Sequence, residues 1–381
     1  MNQLLTAPAV LNLRAVPIYL FLLVSGLLTS FPSYSAAASL PLGFKRTTVA
    51  NGINRPTAMA IAPDGRIFVA EQPGRIRVIK GGELLGTPFL DISSKVDPNG
   101  ERGLLGIAFD PDFSQNQWVY VYYTSKTPDV HNRVSRFTAY RNVAIPGSEK
   151  VLLDIQPLSS ATNHNGGAIH FGKDDKLYIA VGDNADGSNA QMLSNMKGKL
   201  LRINNDGSIP SDNPFYIKTS GKNRSIWVLG LRNPFTFGIQ PRTGRIHIND
   251  VGQNTWEEIN HGIKGANYGW PVHEGPSSDR RYQSPIFAYR HGTGNTLGCA
   301  ITGGAFYNPA TVKFPSSYVG DYFFGDLCNG WIRRYDISTR KVSLFITGLN
   351  SLVDIQVAQN GKLYYLERNT GRLTEVTYTG N

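Results

Sequence analysis

The sequence of 381 residues has little cysteine, few charged residues and, beyond its first 38 residues, no long apolar run. Two cysteines alone make a poor zinc site, and no histidine pair near them has the spacing of zinc ligands. Lysines and arginines never occur five in a row, so the net charge of +10 is dispersed along the chain. Because no nucleic-acid-binding motif accompanies this charge, we expect no nucleic-acid partner. Extended helical periodicity is also missing.

The first 38 residues have the pattern of a secretory signal peptide. Arg14 precedes an apolar segment from Val16 to Leu28, which is short for a membrane span and long enough for a signal-peptide core. Ala36-Ala37-Ala38 supplies the small residues that a signal peptidase requires, so we predict a mature chain of residues 39–381. The alternative is an uncleaved membrane anchor. A cleaved leader predicts a secreted or periplasmic protein that does not span the membrane.

The two cysteines, Cys299 and Cys328, both follow this leader. An isolated pair in an exported chain most often forms a disulfide. Closing a loop of this length would stabilise the fold by roughly 3–4 kcal/mol in the chain-entropy model. We therefore predict a Cys299–Cys328 bond.

A two-strand pattern recurs six times, each time as an alternating strand led by small residues, a polar turn and a second strand rich in aromatic and β-branched residues. The predicted strand pairs are 58–62 with 67–70, 105–109 with 118–122, 168–171 with 177–181, 235–239 with 245–248, 303–307 with 321–324, and 353–357 with 362–366.

Six such units predict an all-β fold, a six-bladed β-propeller of four-stranded antiparallel blades. Small residues suit the first strand of each blade because that strand lines the central channel, where bulky side chains would collide. A β-sandwich or two separate β domains is the alternative. No Pro/Ser-rich linker divides the chain, which favours the propeller.

The segment Asn163-His164-Asn165-Gly166-Gly167 lies just before one of the predicted first strands. Histidine titrates near neutrality, so His164 is a candidate for taking a proton from a substrate hydroxyl. Gly166 and Gly167 would allow the backbone to approach a flat ligand. The alternative is a solvated loop histidine without a role in a site.

Other segments between Asn54 and Asn381 carry recognisable motifs in order. They are ERGLLGIAFDPDF from Glu101, NHNGG from Asn163, GKLLRI from Gly198, DGSIPSDNP from Asp206, GLRNP from Gly230, EEIN from Glu257 and NYGWP from Asn267. Together they resemble the glucose/sorbosone dehydrogenase family of soluble sugar dehydrogenases that use pyrroloquinoline quinone. The resemblance implies oxidation of an aldose or related sugar by hydride transfer to the quinone, and an external electron acceptor.

The resemblance also implies roles for catalytic residues. His164 corresponds to the general base that takes the proton of the sugar's anomeric hydroxyl. Asn163 stands where one branch of the family has an aspartate that orients this base. Glu101 stands where a substrate-contacting glutamine is usual.

Cofactor and metal ligands follow from the same motifs. Arg232 and Asn233 match the pair that holds the quinone oxygens, although Arg232 could instead pair with an acidic neighbour. Gly252 and Gln253 match backbone carbonyls that bind a calcium ion, which polarises the quinone. Glu257 is a further candidate calcium ligand, and a solvated Glu257–Glu258 pair is the alternative.

The later blades depart from the quinone-using pattern. Cys328 takes the place of a lysine that reaches the cofactor's carboxylates, and two arginines are missing near Ser351. Arginines that could replace them are Arg280, Arg281, Arg290, Arg333 and Arg334.

The segments around Cys299 and Cys328 instead resemble the branch that includes the hedgehog-interacting proteins, in which the same scaffold binds protein. The sequence therefore leaves two functions open. One is a sugar dehydrogenase, and the other is a non-catalytic propeller that binds a glycan or a protein partner.

Overall fold

The computed structural model describes residues 39–380, and the predicted signal peptide lies outside these residues. Within the described range, the strands form six antiparallel sheets. We number the strands along the chain and the blades in the order of their first strands. Five blades are built from consecutive strands, and the sixth combines both ends of the described chain.

Blades 1 to 3 comprise β2–β15. Blade 1 contains β2 (Pro56–Ile61), β3 (Ile67–Glu71), β4 (Arg75–Lys80), β5 (Glu83–Leu84) and β6 (Leu90–Asp91). Blade 2 contains β7 (Leu104–Phe109), β8 (Trp118–Ser125), β9 (His131–Tyr140), β10 (Val143–Ala144) and β11 (Lys150–Asp154). Blade 3 contains β12 (Ile169–Phe171), β13 (Leu177–Val181), β14 (Lys199–Ile203) and β15 (Ile226–Leu229).

Blades 4 to 6 hold the remaining strands. Blade 4 contains β16 (Pro234–Ile239), β17 (Ile246–Asp250), β18 (Trp256–His261) and β19 (Phe287–Arg290). Blade 5 contains β20 (Ile301–Phe306), β21 (Tyr322–Asp326), β22 (Trp331–Tyr335) and β23 (Val342–Ile346). Blade 6 contains β24 (Leu352–Val357), β25 (Leu363–Glu367), β26 (Arg372–Tyr378) and β1 (Phe44–Ala50). Two short helices are α1 (Phe113–Asn116) and α2 (Ser188–Gln191), and 3₁₀ turns lie at Tyr216–Lys218, Gly221–Ser225 and Ser316–Tyr318.

The blades close into a ring. The first strand of every blade, in the order β2, β7, β12, β16, β20 and β24, contacts the first strands of both neighbouring blades. The N-terminal strand β1 pairs antiparallel with β26, in register from Phe44 opposite Tyr378 to Ala50 opposite Leu373. The prediction of a six-bladed propeller is confirmed, and each predicted strand pair corresponds to the first two strands of one blade.

Close approach of neighbouring first strands explains their small residues. At Gly106 in β7, an added Cβ atom would lie 2.1 Å from the carbonyl oxygen of Gly167. That distance is far below any normal carbon–oxygen contact, so the approach of blades 2 and 3 requires glycine here. The outer parts of the blades pack through apolar clusters instead, such as Phe68 and Val78 of blade 1 against Val121 of blade 2.

The disulfide prediction is also confirmed, since Cys299 and Cys328 are bonded and no other cysteine exists in the sequence. The bond joins the segment before β20 to the turn after β21, both in blade 5. Between residues 39 and 380, none of the helices has the length and apolar character needed to cross a bilayer.

We expect Gly106→Ala to destabilise the fold by about 1–3 kcal/mol, because the methyl group overpacks the contact between two inner strands. Gly86→Ala is the matched control: its added Cβ would meet nothing within 4 Å and its φ is ordinary. That variant should be neutral or slightly more stable, because alanine restricts the unfolded chain. Urea unfolding measures both free energies, and equal values for the two variants would contradict this account of the channel.

Candidate active site at the upper face

Acidic side chains at the ends of second strands hold the loops that enter the first strands. In four blades a buried carboxylate accepts hydrogen bonds from backbone N–H groups just before the first strand of the same blade. The pairs are Glu71 with Asn54 (2.8 Å), Asp250 with Asn233 (2.8 Å), Asp326 with Cys299 (3.0 Å) and Glu367 with Asn350 (2.7 Å). These contacts all lie at one end of the channel, which we call the upper face.

In blade 3 the corresponding carboxylate binds a histidine ring instead. Asp183, two residues beyond β13, lies 2.8 Å through Oδ1 from Nδ1 of His164. The same oxygen accepts the backbone N–H of Ala185, and Oδ2 accepts the indole N–H of Trp270, each at 2.8 Å. The carboxylate is buried and bonded through both oxygens, so its orientation toward the ring is firmly defined.

The backbone of His164 is held as firmly as its ring. Its N–H donates to Oε2 of Glu101 at 2.8 Å, and its carbonyl accepts the N–H of Asn184 at 3.1 Å. The residue has a φ of +56°, a left-handed conformation that is uncommon outside glycine. Such conformations persist where surrounding contacts enforce them and cluster at functional sites.

These contacts define the protonation pattern of the ring. A carboxylate only accepts hydrogen bonds, so Nδ1 of His164 carries the proton that faces Asp183. In the neutral ring, Nε2 then keeps its lone pair, and it makes no hydrogen bond within residues 39–380. The side chain is 11% exposed. The arrangement provides an oriented base whose free nitrogen is available to a ligand.

The residue that orients the His164 ring is Asp183, whereas the sequence predicts Asn163 in this role. Asn163 is half-buried, and the contact to the His164 ring comes from Asp183. Gly166 serves packing, because an added Cβ would lie 2.6 Å from the carbonyl oxygen of Ala180 in β13. Comparing the ends of the second strands would have revealed Asp183, since Glu71, Asp250, Asp326 and Glu367 occupy similar positions.

A cavity of about 230 Å³ lies at the upper face. Its apolar walls are Leu105, Phe235, Val251, Leu327 and Val353, and its polar lining includes Gln72, Glu101, Asn233 and Arg368. Such a mainly apolar cavity with a few convergent polar groups suits a flat ligand that carries polar substituents. Glu101 and Asn233 are thus the sequence-predicted residues that line it directly.

Hydrogen bonds connect this lining to the histidine loop. Glu101 contacts the backbone of His164, and Oδ1 of Asn233 accepts the N–H of Gly166 at 3.1 Å. The cavity therefore lies beside His164, although that residue is not itself part of the lining.

Arg232 has a donor without a partner. Its NH1 group donates to the carbonyl of Val251 at 3.0 Å, and its guanidinium lies 5.5 Å from the centre of the Trp270 ring. Its Nε atom is buried and has no acceptor among the described residues. The alternative of an acidic partner is not seen, because no carboxylate of residues 39–380 lies within 4 Å of this guanidinium. A buried orphan donor beside the cavity suits a ligand oxygen.

The turn predicted to bind calcium has an ordered backbone. One oxygen of Glu274 accepts the N–H groups of all four residues from Gln253 to Trp256, at 2.8–3.1 Å. The carbonyls of Gly252 and Gln253 accept no backbone hydrogen bond in the described range. Two free carbonyls in a rigid turn are suitable ligands for a hard cation.

The side chain of Glu257, a candidate calcium ligand, is not exposed. It is fully buried, and its oxygens accept hydrogen bonds from His291 (2.7 Å) and from the N–H of Ile301 (2.8 Å). The alternative of a solvated pair is wrong, because Glu258 is buried as well. Within residues 39–380, the metal-type cluster of three side chains is Cys299, Asp326 and Cys328, of which the two cysteines are bonded to each other.

The arginine that lines the cavity, Arg368, is not among the five that the sequence offers as replacements for the missing cations. None of Arg280, Arg281, Arg290, Arg333 and Arg334 lines the cavity, whereas Arg368 does. Arg368 directly follows Glu367, just as Gln72 follows Glu71 and Leu327 follows Asp326. The residue after the strand-end acid lines the cavity in all these cases, which is the signal that would have identified it.

The fold and the site together define a class: a six-bladed β-propeller with an oriented histidine base beside a ligand cavity at the mouth of its channel. Comparison with known proteins specifies the class further. The glucose/sorbosone dehydrogenase family matches residues 53–375. The chain belongs to this family.

Individual relatives agree with this assignment. The aldose sugar dehydrogenase YliI of Escherichia coli (strain K12) is 28% identical over 90% of this chain and 95% of its own length. Quinoprotein glucose dehydrogenase B of Acinetobacter calcoaceticus is 32% identical over 63% of this chain, which spans only 55% of that protein.

Two further similarities bear on function. The PQQ-bound aldose sugar dehydrogenase of Streptomyces coelicolor is 25% identical, with a TM-score of 0.73, over 89% of this chain and 99% of that one. The hedgehog-interacting protein of Mus musculus is 29% identical over 65% of this chain and 43% of its own length.

We expect Asp183→Asn to change the tautomer of the His164 ring. Each oxygen of Asp183 accepts hydrogen bonds, so an amide NH₂ at either position would face another donor or would donate to Nδ1. Nitrogen-15 NMR of the imidazole reports the protonated nitrogen directly. Asn163→Ala is the control and should leave the His164 signals unchanged. The opposite pattern would restore Asn163 as the orienting residue.

Proposed function

We propose that this protein is a sugar dehydrogenase that oxidises an aldose or a related sugar hydroxyl with pyrroloquinoline quinone as its cofactor. The observation that carries the proposal is the His164–Asp183–Trp270 array beside the upper cavity. Membership of the glucose/sorbosone dehydrogenase family supports the same reaction class.

The residues around the cavity fit the quinone. Apolar walls such as Phe235 and Leu327 suit a flat ring system, and Asn233 and Arg232 offer donors for its oxygens. When bound, the quinone supplies a two-electron acceptor for hydride.

His164 then acts as the general base. Nε2 removes the proton of the sugar hydroxyl, and the negative charge of Asp183 stabilises the imidazolium that results. Trp270 keeps Asp183 in place through the indole N–H. Glu101, exposed at the mouth of the cavity, is positioned to contact the sugar while it holds the His164 backbone. An external electron acceptor would restore the cofactor for the next turnover.

We place a calcium ion at the carbonyls of Gly252 and Gln253. The turn follows Val251, which lines the cavity, so the ion would lie near the quinone and polarise it. Because both oxygens of Glu257 are engaged within the protein, its proposed part is to hold the adjoining strands, and the carbonyls provide the coordination.

We also place the mature protein outside the cytoplasm, in the periplasm or secreted. The N-terminal segment has the pattern of a signal peptide, and the Cys299–Cys328 bond suits an oxidising compartment.

The second candidate is a propeller that binds a protein or a glycan without catalysis. It is favoured by the similarity to the hedgehog-interacting protein and by the missing lysine at Cys328. The disulfide lies next to the wall of the cavity, since Ala300 and Leu327, the chain neighbours of the two cysteines, both line it.

Replacement of His164 tests the enzymatic proposal. We expect His164→Ala to retain the fold and the affinity for pyrroloquinoline quinone, while turnover of sugar falls about 10²–10⁴-fold, the usual contribution of a positioned base. Arg232→Ala should weaken quinone binding as well. A dye-linked assay on a panel of sugars and a quinone titration of the purified protein measure both. A wild-type protein that binds no quinone and oxidises no sugar after reconstitution with calcium would favour the binding propeller.

Calcium removal tests the metal proposal separately. If the carbonyls of Gly252 and Gln253 bind the ion, chelation with EGTA should lower the melting temperature or the quinone affinity, because a ligand that binds only the folded state stabilises it. Adding calcium back, but not magnesium, should restore the loss. Elemental analysis showing no calcium, together with unchanged melting and affinity, would count against the site.

A further inference from the structure

Two arginines at the upper face share one amide oxygen. Oε1 of Gln72 accepts hydrogen bonds from Arg55, at 2.5 Å, and from Arg368. The other terminal nitrogen of Arg368 donates to the carbonyls of Arg55 (3.3 Å) and Pro56 (3.4 Å). The cluster lies where blade 6 meets blade 1, at the rim of the cavity.

Neither guanidinium has an acidic partner in the part of the chain that the structure describes. Arg77, also in blade 1, pairs with Glu71, and Arg102 pairs with Asp97, but no carboxylate of residues 39–380 lies within 4 Å of Arg55 or Arg368. Burial, together with the charge of Arg55, lowers the pKa of Arg368. Arg368 is half-buried, whereas Arg55 is exposed. Two adjacent cations without a carboxylate partner among the described residues repel each other, so binding of an anion beside them would be favoured.

The position of the cluster in the ring indicates which residues lie across the channel from it. In a ring of six blades, blade 6 lies across the channel from blade 3, and blade 1 lies across from blade 4. Arg368 and Arg55 therefore face His164 and Asn233 from the far side of the upper face. A ligand that reaches across the cavity from the histidine would present its other end to the two arginines.

We propose that Arg368, assisted by Arg55, forms a carboxylate-binding subsite of the upper cavity. It replaces the cations that are missing at Cys328 and near Ser351. The assignment to a cofactor carboxylate rests on the proposed function. The same chemistry would also accept the carboxylate of an acidic sugar such as a uronate, and the experiment distinguishes these two sources.

A purely structural role is the competing explanation, because Arg368 also ties blade 6 to blade 1 through backbone carbonyls. The readout must therefore depend on ligand charge. Pyrroloquinoline quinone and its trimethyl ester share one ring system and differ in their three carboxylates. Loss of a carboxylate contact weakens binding of the acid alone, whereas distortion of the cavity weakens binding of both.

The experiment titrates the apo protein with each compound and follows intrinsic fluorescence, without any turnover. We expect Arg368→Gln to weaken binding of the acid at least tenfold and that of the ester less than twofold. Arg55→Gln should have a smaller effect of the same kind, and Arg368→Lys should recover part of the affinity. Arg281→Gln is the matched control, because that exposed arginine pairs with Asp279 and does not line the cavity.

Glucuronate binding, measured by calorimetry, separates the two sources. If Arg368→Gln leaves the affinity for the quinone unchanged but abolishes binding of glucuronate, the subsite serves an acidic sugar. A wild-type protein that binds no quinone defeats the proposed function alone, and glucuronate binding that requires Arg368 would still support the subsite. The proposal is overturned if Arg368→Gln leaves the affinities for the quinone, its ester and glucuronate all unchanged, or if it weakens binding of the acid and the ester equally.

Discussion

The hydrogen bond between a buried carboxylate at the end of a second strand and the backbone just before the first strand is the contact on which this site depends. Buried carboxylates require donors, and the N–H groups of loops entering strands require acceptors. In blades 1, 4, 5 and 6 each group satisfies the other. The loops at the upper face are thereby fixed to rigid sheets, so side chains on those loops can be positioned for chemistry.

Two blades add to this arrangement in ways that matter for function. In blade 3 the acid, Asp183, binds the ring of His164, so a structural contact of the other blades becomes a device that orients a base. In blade 6 the structural contact is kept by Glu367, and the next residue, Arg368, brings a charge to the cavity. A repeated framework allows such changes because each blade contributes its loop independently to one common surface.

The architecture could be predicted well from the sequence, because alternation of small, β-branched and aromatic residues is a local property of each strand. The six strand pairs and the Cys299–Cys328 bond are examples. Motifs likewise pointed to His164, Asn233 and Glu101. Asp183 and Arg368 were missed, because their importance comes from partners 19 residues away in one case and 296 residues away in the other.

The number of blades, the strands that form them and the residue types at their ends follow from local sequence patterns. Which of these residues meet depends on the folded ring, because its closure joins β1 to β26 and places blade 6 beside blade 1. Pairing of Arg368 with Gln72 depends on that closure. So does the fact that, within residues 39–380, no carboxylate lies within 4 Å of Arg55 or Arg368. Local pattern constrains a strand, whereas the electrostatics of a cavity depend on every chain segment that the fold brings to it.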